Sequence, residues 1–340
     1  MNMSIEKSSV SFAVFSYNQE KYIVDAVKSA LCQTYQPLEI IISDDHSSDG
    51  TYKLILETVK SYTGPHKLIV QQNIKNLGVA GHINMIMSIA NGEYIVIAAG
   101  DDISECDRVT KLVNSYTDRS INAVCSNACI INDTGKNLGS FSKVPSLYSW
   151  ERMARDGTSY VFGAAMSWRK SVFTEFGPLP LNVRNEDQII PFRAALLGSV
   201  KVIPDELIKY REHDENLSFR IIMKRGGLNE CLKNRRLQIN NQINNYEEWL
   251  RNVNDKKNQL PEDSAIKAIN DINNHISLLK YEGQLLMANL FKRIKCVLSM
   301  HNKVKSKQFM IYVLIMISPL IYALAIKNKD VIKKICHRVN

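Results

Sequence analysis

Residues 10–51 read VSFAVFSYNQEKYIVDAVKSALCQTYQPLEIIISDDHSSDGT, and within them two strand patterns flank a helix pattern. Val10–Ser16 and Leu38–Ser43 are short apolar runs rich in β-branched residues, as expected of strands buried on both faces. Glu20–Cys32, between them, carries apolar residues at helical spacing. A strand, a helix and a strand in this order predict a βαβ unit with parallel strands.

The alternation continues beyond this segment. Four further patterns follow in the order helix, strand, helix and strand: Gly50–Ser61, His66–Gln71, Ala80–Ala90 and Glu93–Ala98. Repeated βαβ units predict an α/β fold with a doubly wound, mostly parallel sheet. After Val200 the pattern changes to two long polar helices, which are interrupted near Pro261 and are expected to reach about Met300. Gly226–Gly227 reads as a break before them.

The composition limits the classes of partner. The chain has 340 residues and a formal net charge of +9, which favours nucleic acid, anionic lipid or phosphate-bearing substrates. The sequence contains no recognisable nucleic-acid recognition module, so we expect no nucleic-acid partner. Seven cysteines occur without a Cys-x-x-Cys motif, and the first residues lack the apolar core of a signal peptide. We therefore expect a cytoplasmic protein with reduced thiols.

Polar clusters follow three of the predicted strands. They are Ser16-Tyr17-Asn18, the stretch Ser43–Thr51 that includes Asp45, and Ala99-Gly100-Asp101-Asp102. In an open parallel sheet, ligands bind where the carboxyl ends of the strands meet. The Tyr17 ring has the chemistry to stack on a nucleobase, and the Asp45 carboxylate to accept an imide N–H. Asp101 and Asp102 together suit a divalent cation that is bound against a diphosphate.

Each cluster also has a simpler interpretation. Asp49-Gly50 suits a turn and a helix start, Tyr17 suits an ordinary loop, and Asp101-Asp102 suits the cap of a helix that begins near Asp107. Three clusters at three successive strand ends nevertheless favour a ligand site over three independent caps.

At these residues the chain resembles the family 2 glycosyltransferases, which are inverting enzymes of the A-type fold. Residues 10–51 are similar to the nucleotide-binding half of that family, and NLGVAGHINMIMSIANGEYIVIAAGDDI (76–103) is similar to the stretch that leads into its metal motif. The resemblance covers about residues 8–215. It implies nucleotide binding by five residues: Ser16, Tyr17, Asn18, Asp45 and Asp101. It also implies that Mn²⁺ or Mg²⁺ binds at Asp101 and Asp102. Many members carry a further Asp where this chain has Ala99, so the expected metal site rests on these two carboxylates.

A second acidic pair lies in Asn185-Glu186-Asp187-Gln188, at the start of a predicted helix. Acidic residues in a first turn suit the helix dipole without any catalytic role. Inverting sugar transfer, however, needs one carboxylate to take the proton of the attacking hydroxyl. The resemblance places that base in this pair, and we expect Asp187 to be the base and Glu186 to contact the acceptor.

Two more segments match the family. Tyr210-Arg211-Glu212-His213 resembles its closing Tyr-Arg-x-His segment, which implies a phosphate contact for Arg211 and a third metal ligand in His213. Gly163–Arg169 resembles a strand that lines the acceptor cleft. We expect Trp168 in that strand to contact the acceptor, although ordinary core packing is equally consistent with its sequence position.

The C-terminal region contains 18 consecutive uncharged residues, Phe309–Ile326, with lysines on both sides. A buried core helix, a re-entrant segment and a helix lying in the membrane plane remain open. The preceding Leu278–Val304 interleaves apolar and basic residues, a pattern that suits anionic lipid. We expect membrane attachment, peripheral or through the C-terminus, at the cytoplasmic face of the inner (plasma) membrane.

These features predict three regions: a glycosyltransferase domain over residues 1–222, a helical extension over 223–302 and a membrane-associated segment over 303–340. The nucleotide-binding half of the domain would cover about 1–105 and the acceptor half 106–222. The expected reaction moves a hexose or N-acetylhexosamine from a UDP- or dTDP-sugar to a glycan on a polyprenyl diphosphate, in bacterial surface polysaccharide synthesis.

Two other functions remain to be weighed. Ala99 in the metal motif motivates a nucleotide-sugar-binding scaffold without turnover. A dehydrogenase is disfavoured because the first strand is not followed by Gly-x-Gly-x-x-Gly.

Overall fold

The structure, a computed structural model, describes residues 8–144, 146–213, 216 and 228–287. It divides into two compact units. Among the described residues, the first unit contains those up to Glu212 together with Glu248–Ile269, and the second contains those between His213 and Glu247 and between Asn270 and Met287.

The first unit is built on a sheet of ten strands. The strands are β1 (Val10–Ser16), β2 (Leu38–Asp44), β3 (Lys67–Gln72), β4 (Tyr94–Ala99), β5 (Ile103–Ser104), β6 (Ile121–Ile131), β7 (Asn137–Phe141), β8 (Ser146–Tyr148), β9 (Met166–Arg169) and β10 (Ser199–Arg211). Their order is β3-β2-β1-β4-β9-β6-β10-β5, with β7 paired to β6 and β8 to β10. The first four strands of this order are mutually parallel, as are β6 and β10. Strand β9 runs antiparallel to both β4 and β6 and joins the two halves.

Nine helices are assigned within the described residues. They are α1 (Ile23–Leu31), α2 (Thr51–Val59), α3 (Gly78–Ile89), α4 (Arg108–Asn114), α5 (Trp150–Asp156), α6 (Ser171–Phe176), α7 (Glu186–Leu196), α8 (Leu228–Lys256) and α9 (Glu262–Met287). Short 3-10 helices cover Gly163–Ala165 and Lys257–Gln259. The predicted break near Pro261 is confirmed, since α9 begins one residue after it.

The core explains why the first strands are continuous apolar runs. Every residue of β2 is buried, and β1 and β4 are nearly as enclosed. Phe12 and Ile40 on these strands pack in one cluster with Ile23 of α1 and Ile55 of α2. Because helices cover the sheet, these strands are mostly apolar throughout and do not alternate between apolar and polar residues. The predicted α/β fold, with a mostly parallel sheet and a helical C-terminal region, is confirmed.

The second unit contains parts of the two long polar helices. Arg235 on α8 forms a bidentate ion pair with Glu282 on α9, with both N···O distances at 2.7 Å. Tyr246 stacks on His275 with ring centroids 5.3 Å apart. These polar pairs cross-link the two helices and add to the packing of buried apolar residues such as Ile239 and Ile276.

The expectation of reduced thiols is wrong for one pair of cysteines, because Cys32 and Cys106 form a disulfide. Cys32 directly follows α1, and Cys106 lies between β5 and α4. The backbone N–H of Thr34 also donates to the carbonyl of Cys106 over 2.9 Å. The pairing was not predictable from sequence because the two residues are 74 positions apart.

Within the described ranges, no helix is long and apolar enough to cross a membrane. The predicted membrane segment Phe309–Ile326 and the break at Gly226–Gly227 lie outside the described residues. Membrane attachment therefore stays a prediction.

Candidate functional site

The loops after β1 and β2 are joined by Asn18. Its backbone lies in the left-handed region, at φ 52°, which asparagine tolerates better than most residues. Its Oδ1 accepts the backbone N–H of Ser48, and its own N–H donates to Oγ of Ser47, both over 2.8 Å. Ser16, before it, is buried and donates to the carbonyl of Ser43. Tyr17 is 47% exposed at the same edge, so its ring is accessible to a ligand.

Asp45 fastens the start of α3. Its side chain is buried, and Oδ1 accepts from Nδ2 of Asn73 over 2.7 Å and from the N–H of Leu77 over 2.9 Å. Oδ2 accepts from the N–H of Gly78 over 3.0 Å. A carboxylate suits these free N–H groups at a helix N-terminus. Asp45 thus has a structural role at the predicted nucleotide edge, and its contact with a base stays a prediction.

Asp101 and Asp102 lie directly after β4, beside the end of β1. A side chain at Gly100 would meet Ser16 and Gln19, so the close approach of these loops requires glycine there. Asp102 is buried, and its Oδ1 accepts the backbone N–H of Arg211 over 2.9 Å. Burial, and next the charge of Asp101, raise the pKa of Asp102 well above its usual value. The fold therefore holds two carboxyl groups close together, although their negative charges repel each other.

This pair fits a divalent cation. Oδ2 of Asp102 is buried without a hydrogen-bond partner in the described part of the chain, and a cation beside Asp101 would satisfy it and offset the repulsion between the carboxylates. No group of three His, Cys, Asp or Glu side chains within the described residues has a geometry that holds a metal ion. The predicted third ligand, His213, belongs to the second unit, and its role stays a prediction.

Arg211 has a structural role in place of the predicted phosphate contact. Arg211 is only 3% exposed. Its guanidinium donates to the carbonyls of Asp101, Asn132 and Asp133 over 3.0–3.3 Å, and to the carboxylate of Asp25 over 3.4 Å. The side chain is committed to the protein, and it fixes the loop that carries the acidic pair.

Arg108 is a residue that the sequence analysis missed. It is completely buried on α4 and donates to the carbonyl of Ile97 over 2.7 Å and to that of Ala164 over 3.0 Å. Burial lowers its pKa to about 10, against the opposing charge of Asp102. The guanidinium joins β4 to the 3-10 helix Gly163–Ala165. The available signal was an arginine on the same helix face as the apolar Val109 and Leu112.

Glu186 and Asp187 open α7 and are partly accessible. Burial, and next the charge of Asp187, raise the pKa of Glu186 to about 8, while burial raises the pKa of Asp187 to about 6. Oδ1 of Asp187 has no hydrogen-bond partner among the described residues. A methyl group at Gly163 would lie 2.8 Å from Cβ of Asp187, so the pair sits directly against the 3-10 helix. A carboxylate with a pKa near neutrality is suited to accept a proton.

The helix that carries this pair is anchored by α8. Trp249 stacks on Phe192 with ring centroids 4.2 Å apart, and its Nε1 donates to the carbonyl of Gln188 over 2.9 Å. Arg193 forms a buried ion pair with Glu248 at 2.8 Å. These contacts fix the start of α7 from a segment more than fifty residues away in sequence.

The prediction that Trp168 contacts the acceptor is wrong. Its side chain is completely buried and stacks on Phe173 with ring centroids 6.0 Å apart. Trp168 lies on β9, and its complete burial shows that the side chain faces the core.

Comparison with known proteins places this site in a family. Residues 11–175 match the family model described as glycosyl transferase family 2. The chain belongs to the family 2 glycosyltransferases. The predicted resemblance is therefore confirmed, and the matched range contains the nucleotide edge, both aspartates after β4 and Gly163.

Curated relatives of this family 2 chain cover the same region. A glycosyltransferase of Streptococcus pneumoniae is 28% identical over 221 residues, which are 61% of this chain and 72% of the relative. An uncharacterized protein of Mycobacterium tuberculosis is 29% identical over 215 residues, which are 60% of this chain and 59% of that protein. The chain thus spans about three-fifths of the length of the mycobacterial relative.

Two solved structures share the fold of this family 2 chain. S. aureus TarS 1–349 in complex with UDP-GlcNAc has a TM-score of 0.58 at 16% identity, covering 94% of this chain and 90% of that chain. The mannosyltransferase PcManGT from Pyrobaculum calidifontis, in complex with GDP-Man and Mn²⁺, has a TM-score of 0.53 at 16% identity, covering 96% and 88%.

Proposed function

We propose that this chain is an inverting glycosyltransferase that moves a hexose or N-acetylhexosamine from a nucleotide-sugar to a glycan acceptor. One observation carries the proposal. The first unit contains two pairs of carboxyl groups in different environments, and the elements that carry the two pairs are in contact through shared neighbours. Asp101 and Asp102 follow β4, and Glu186 and Asp187 open α7. Arg108 and the 3-10 helix Gly163–Ala165 connect them.

The two pairs have different tasks in the proposed reaction. Asp187 accepts the proton of the acceptor hydroxyl as that oxygen attacks the anomeric carbon, and Glu186 contacts the acceptor beside it. The bond from the anomeric carbon to the nucleoside diphosphate breaks on the opposite side, which inverts the configuration. Asp101 and Asp102 would hold Mn²⁺ or Mg²⁺, and the bound cation would offset the negative charge of the leaving diphosphate.

For the donor we propose a UDP- or dTDP-sugar. The solved relatives in complex with UDP-GlcNAc and with GDP-Man support a nucleotide-sugar of some kind. The exposed ring of Tyr17 and the adjacent loops after β1 and β2 supply a surface for the base. Asp101 contacts the ribose in this arrangement.

For the acceptor we propose a growing glycan on a polyprenyl diphosphate, in bacterial surface polysaccharide synthesis at the cytoplasmic face of the membrane. The support is the sequence of the C-terminal region, in which the uncharged Phe309–Ile326 is flanked by Lys307 and Lys327. A long apolar segment with basic ends suits contact with anionic headgroups.

The test is a panel of nucleotide-sugars assayed with the full chain by thermal shift, with Mn²⁺ and with EDTA. Ligand binding to the folded state raises the midpoint of unfolding, so the true donor should stabilise the protein in a metal-dependent manner. Release of free nucleoside diphosphate and transfer to glycan acceptors are then measured with that donor. Stabilisation without any turnover would favour the nucleotide-sugar-binding scaffold. Absence of stabilisation by every nucleotide-sugar would refute the proposal.

A further inference from the structure

Three half-buried aromatic residues form a cluster on the first unit: Phe141, Phe162 and Tyr210. The Phe162 ring centroid lies 4.4 Å from that of Phe141 and 4.9 Å from that of Tyr210, the latter edge to face. The three residues come from β7, the segment before the 3-10 helix and β10. Phe141 and Phe162 are only half-buried, so part of each residue is accessible to a ligand.

This aromatic cluster adjoins both carboxyl pairs. Phe162 directly precedes Gly163, which packs against Asp187. Its backbone N–H donates to Sγ of Cys125 over 3.3 Å, which fixes it to β6. Tyr210 directly precedes the backbone N–H that donates to Asp102 over 2.9 Å. The cluster therefore adjoins both Asp187, the proposed general base, and Asp102, which belongs to the proposed metal site.

Lys143 brings a positive charge to the same place. Its Nζ lies 5.4 Å from the ring centroid of Phe141, and its backbone N–H donates to Oδ1 of Asn127 over 2.7 Å. No salt bridge joins Lys143 to a carboxylate in the described part of the chain. Its charge reaches Asp187, where burial raises the pKa to about 6 and Lys143 acts in the opposite direction. A lysine that forms no salt bridge among the described residues, and that lies next to a candidate base and an aromatic surface, is available to an anionic ligand.

We propose that Lys143 and the aromatic cluster bind an acceptor sugar that carries a negative charge. The sugar ring packs on the accessible aromatic surface, and Nζ pairs with the anionic group. That group is either the carboxylate of an acidic sugar or the phosphate that links a sugar to its carrier. This inference rests on the proposed function, since it places the acceptor beside Asp187.

The experiment measures binding to the full chain and does not require turnover. Three probes share a glucose ring and an octyl chain: octyl glucoside is neutral, octyl glucuronide carries a carboxylate, and glucose 1-(octyl phosphate) carries a phosphate. Dissociation constants are obtained by saturation-transfer NMR for the wild type, Lys143→Gln and Lys136→Gln. Lys136 is the matched control, because it is exposed on the turn between β6 and β7 and its replacement removes the same charge.

We expect the wild type to bind at least one anionic probe on the order of fivefold tighter than the neutral probe. Lys143→Gln should lose this preference, and Lys136→Gln should keep it. The stronger of the two anionic probes identifies the source of the charge. Phe141→Leu should weaken all three probes alike, because it reduces stacking without changing charge.

Two results would overturn the inference: no anionic preference in the wild type, or the same preference in Lys143→Gln. If Lys143→Gln keeps the preference, a shifted pH profile of transfer would show that Lys143 acts only on the pKa of Asp187. Release of nucleoside diphosphate is measured on the same samples. An intact anionic preference without donor turnover would refute the proposed glycosyl transfer and leave this binding site standing.

Discussion

Gly163 packs so closely against Asp187 that an added methyl group would lie 2.8 Å from its Cβ and 3.3 Å from Oε1 of Glu186. These atoms belong to the first turn of α7, which the stacking of Trp249 on Phe192 holds in place. Asp187 cannot move away from residue 163 without disturbing this buried contact. The absence of a side chain at residue 163 therefore allows Asp187 to occupy this position.

The first prediction follows from that contact. Gly163→Ala should move Asp187 and lower transfer at least tenfold, while overpacking costs about 1–3 kcal/mol of stability. Donor affinity, measured by thermal shift, should stay close to that of the wild type, because Asp187 faces the acceptor in the proposed reaction. Gly283→Ala is the control: its methyl would lie 3.7 Å from Ile239, an ordinary contact in a helix. Full activity of Gly163→Ala would show that the close contact does not position the base.

Asp187→Asn should retain donor binding and lose about 10²–10⁴-fold in transfer rate, because the amide keeps the shape of the side chain but accepts no proton. The comparison variant is Glu186→Gln, which should change the acceptor KM more than the rate. Single-turnover kinetics with saturating donor separate these effects. If the two variants exchange behaviour, Glu186 is the base, and if Asp187→Asn loses donor affinity, the residue belongs to the nucleotide site.

The raised pKa values predict opposite pH trends for activity and stability. Asp187 must be deprotonated to act, so transfer should rise with pH through about 6 and then level. Glu186 and Asp187, with pKa values of about 8 and 6, bind more protons when folded than when unfolded. Their contribution to the free energy of unfolding should therefore be largest at acidic pH and decline as pH rises to about 8. Denaturant titrations of wild type and the double variant Glu186→Gln/Asp187→Asn measure this slope, which should be smaller in the double variant. Equal slopes would contradict the assignment.

Asp101→Asn and Asp102→Asn test the metal role with little change in shape. Each should abolish the Mn²⁺-dependent part of donor stabilisation, because one carboxylate alone compensates the cation poorly. The amide introduced by Asp102→Asn retains an oxygen that can accept the N–H of Arg211, so the fold should survive. Circular dichroism and the unfolding midpoint without ligand provide the control. Unchanged affinity and metal dependence in both variants would rule out a metal site here.

Truncation before Lys303 should release the protein into the soluble fraction while nucleotide-sugar binding persists. Each basic residue near an anionic surface adds about 1 kcal/mol of attraction, and the uncharged Phe309–Ile326 adds apolar area. Transfer to a water-soluble acceptor should survive better than transfer to a lipid-linked one. A full chain that is monomeric and soluble without detergent would contradict membrane attachment. Unfolding of the truncated form would show that the segment supports the fold.

The sequence by itself determined the fold and the edge of the sheet that carries the site. Val10–Ser16 matches the first strand at both ends. The second strand extends one residue beyond its predicted end, and the third and fourth strands are each shifted by one residue at both ends. Apolar periodicity and turn chemistry are local properties, so a single segment contains enough information to specify each element. Asp101 and Asp102 were identified from their position at a strand end, and the family resemblance pointed to Glu186 and Asp187 at the start of a helix.

Only the tertiary structure decided which side chains face the ligand and which hold the fold. Trp168 and Arg211 carry the residue types of ligand contacts, yet burial commits both to the protein. The disulfide between Cys32 and Cys106 and the contacts of Arg108 join segments far apart in the chain. The aromatic cluster and Lys143 likewise meet through pairings of β6 with β7 and β10. Burial and long-range contact depend on how the elements pack together, and no local pattern of residues encodes that arrangement.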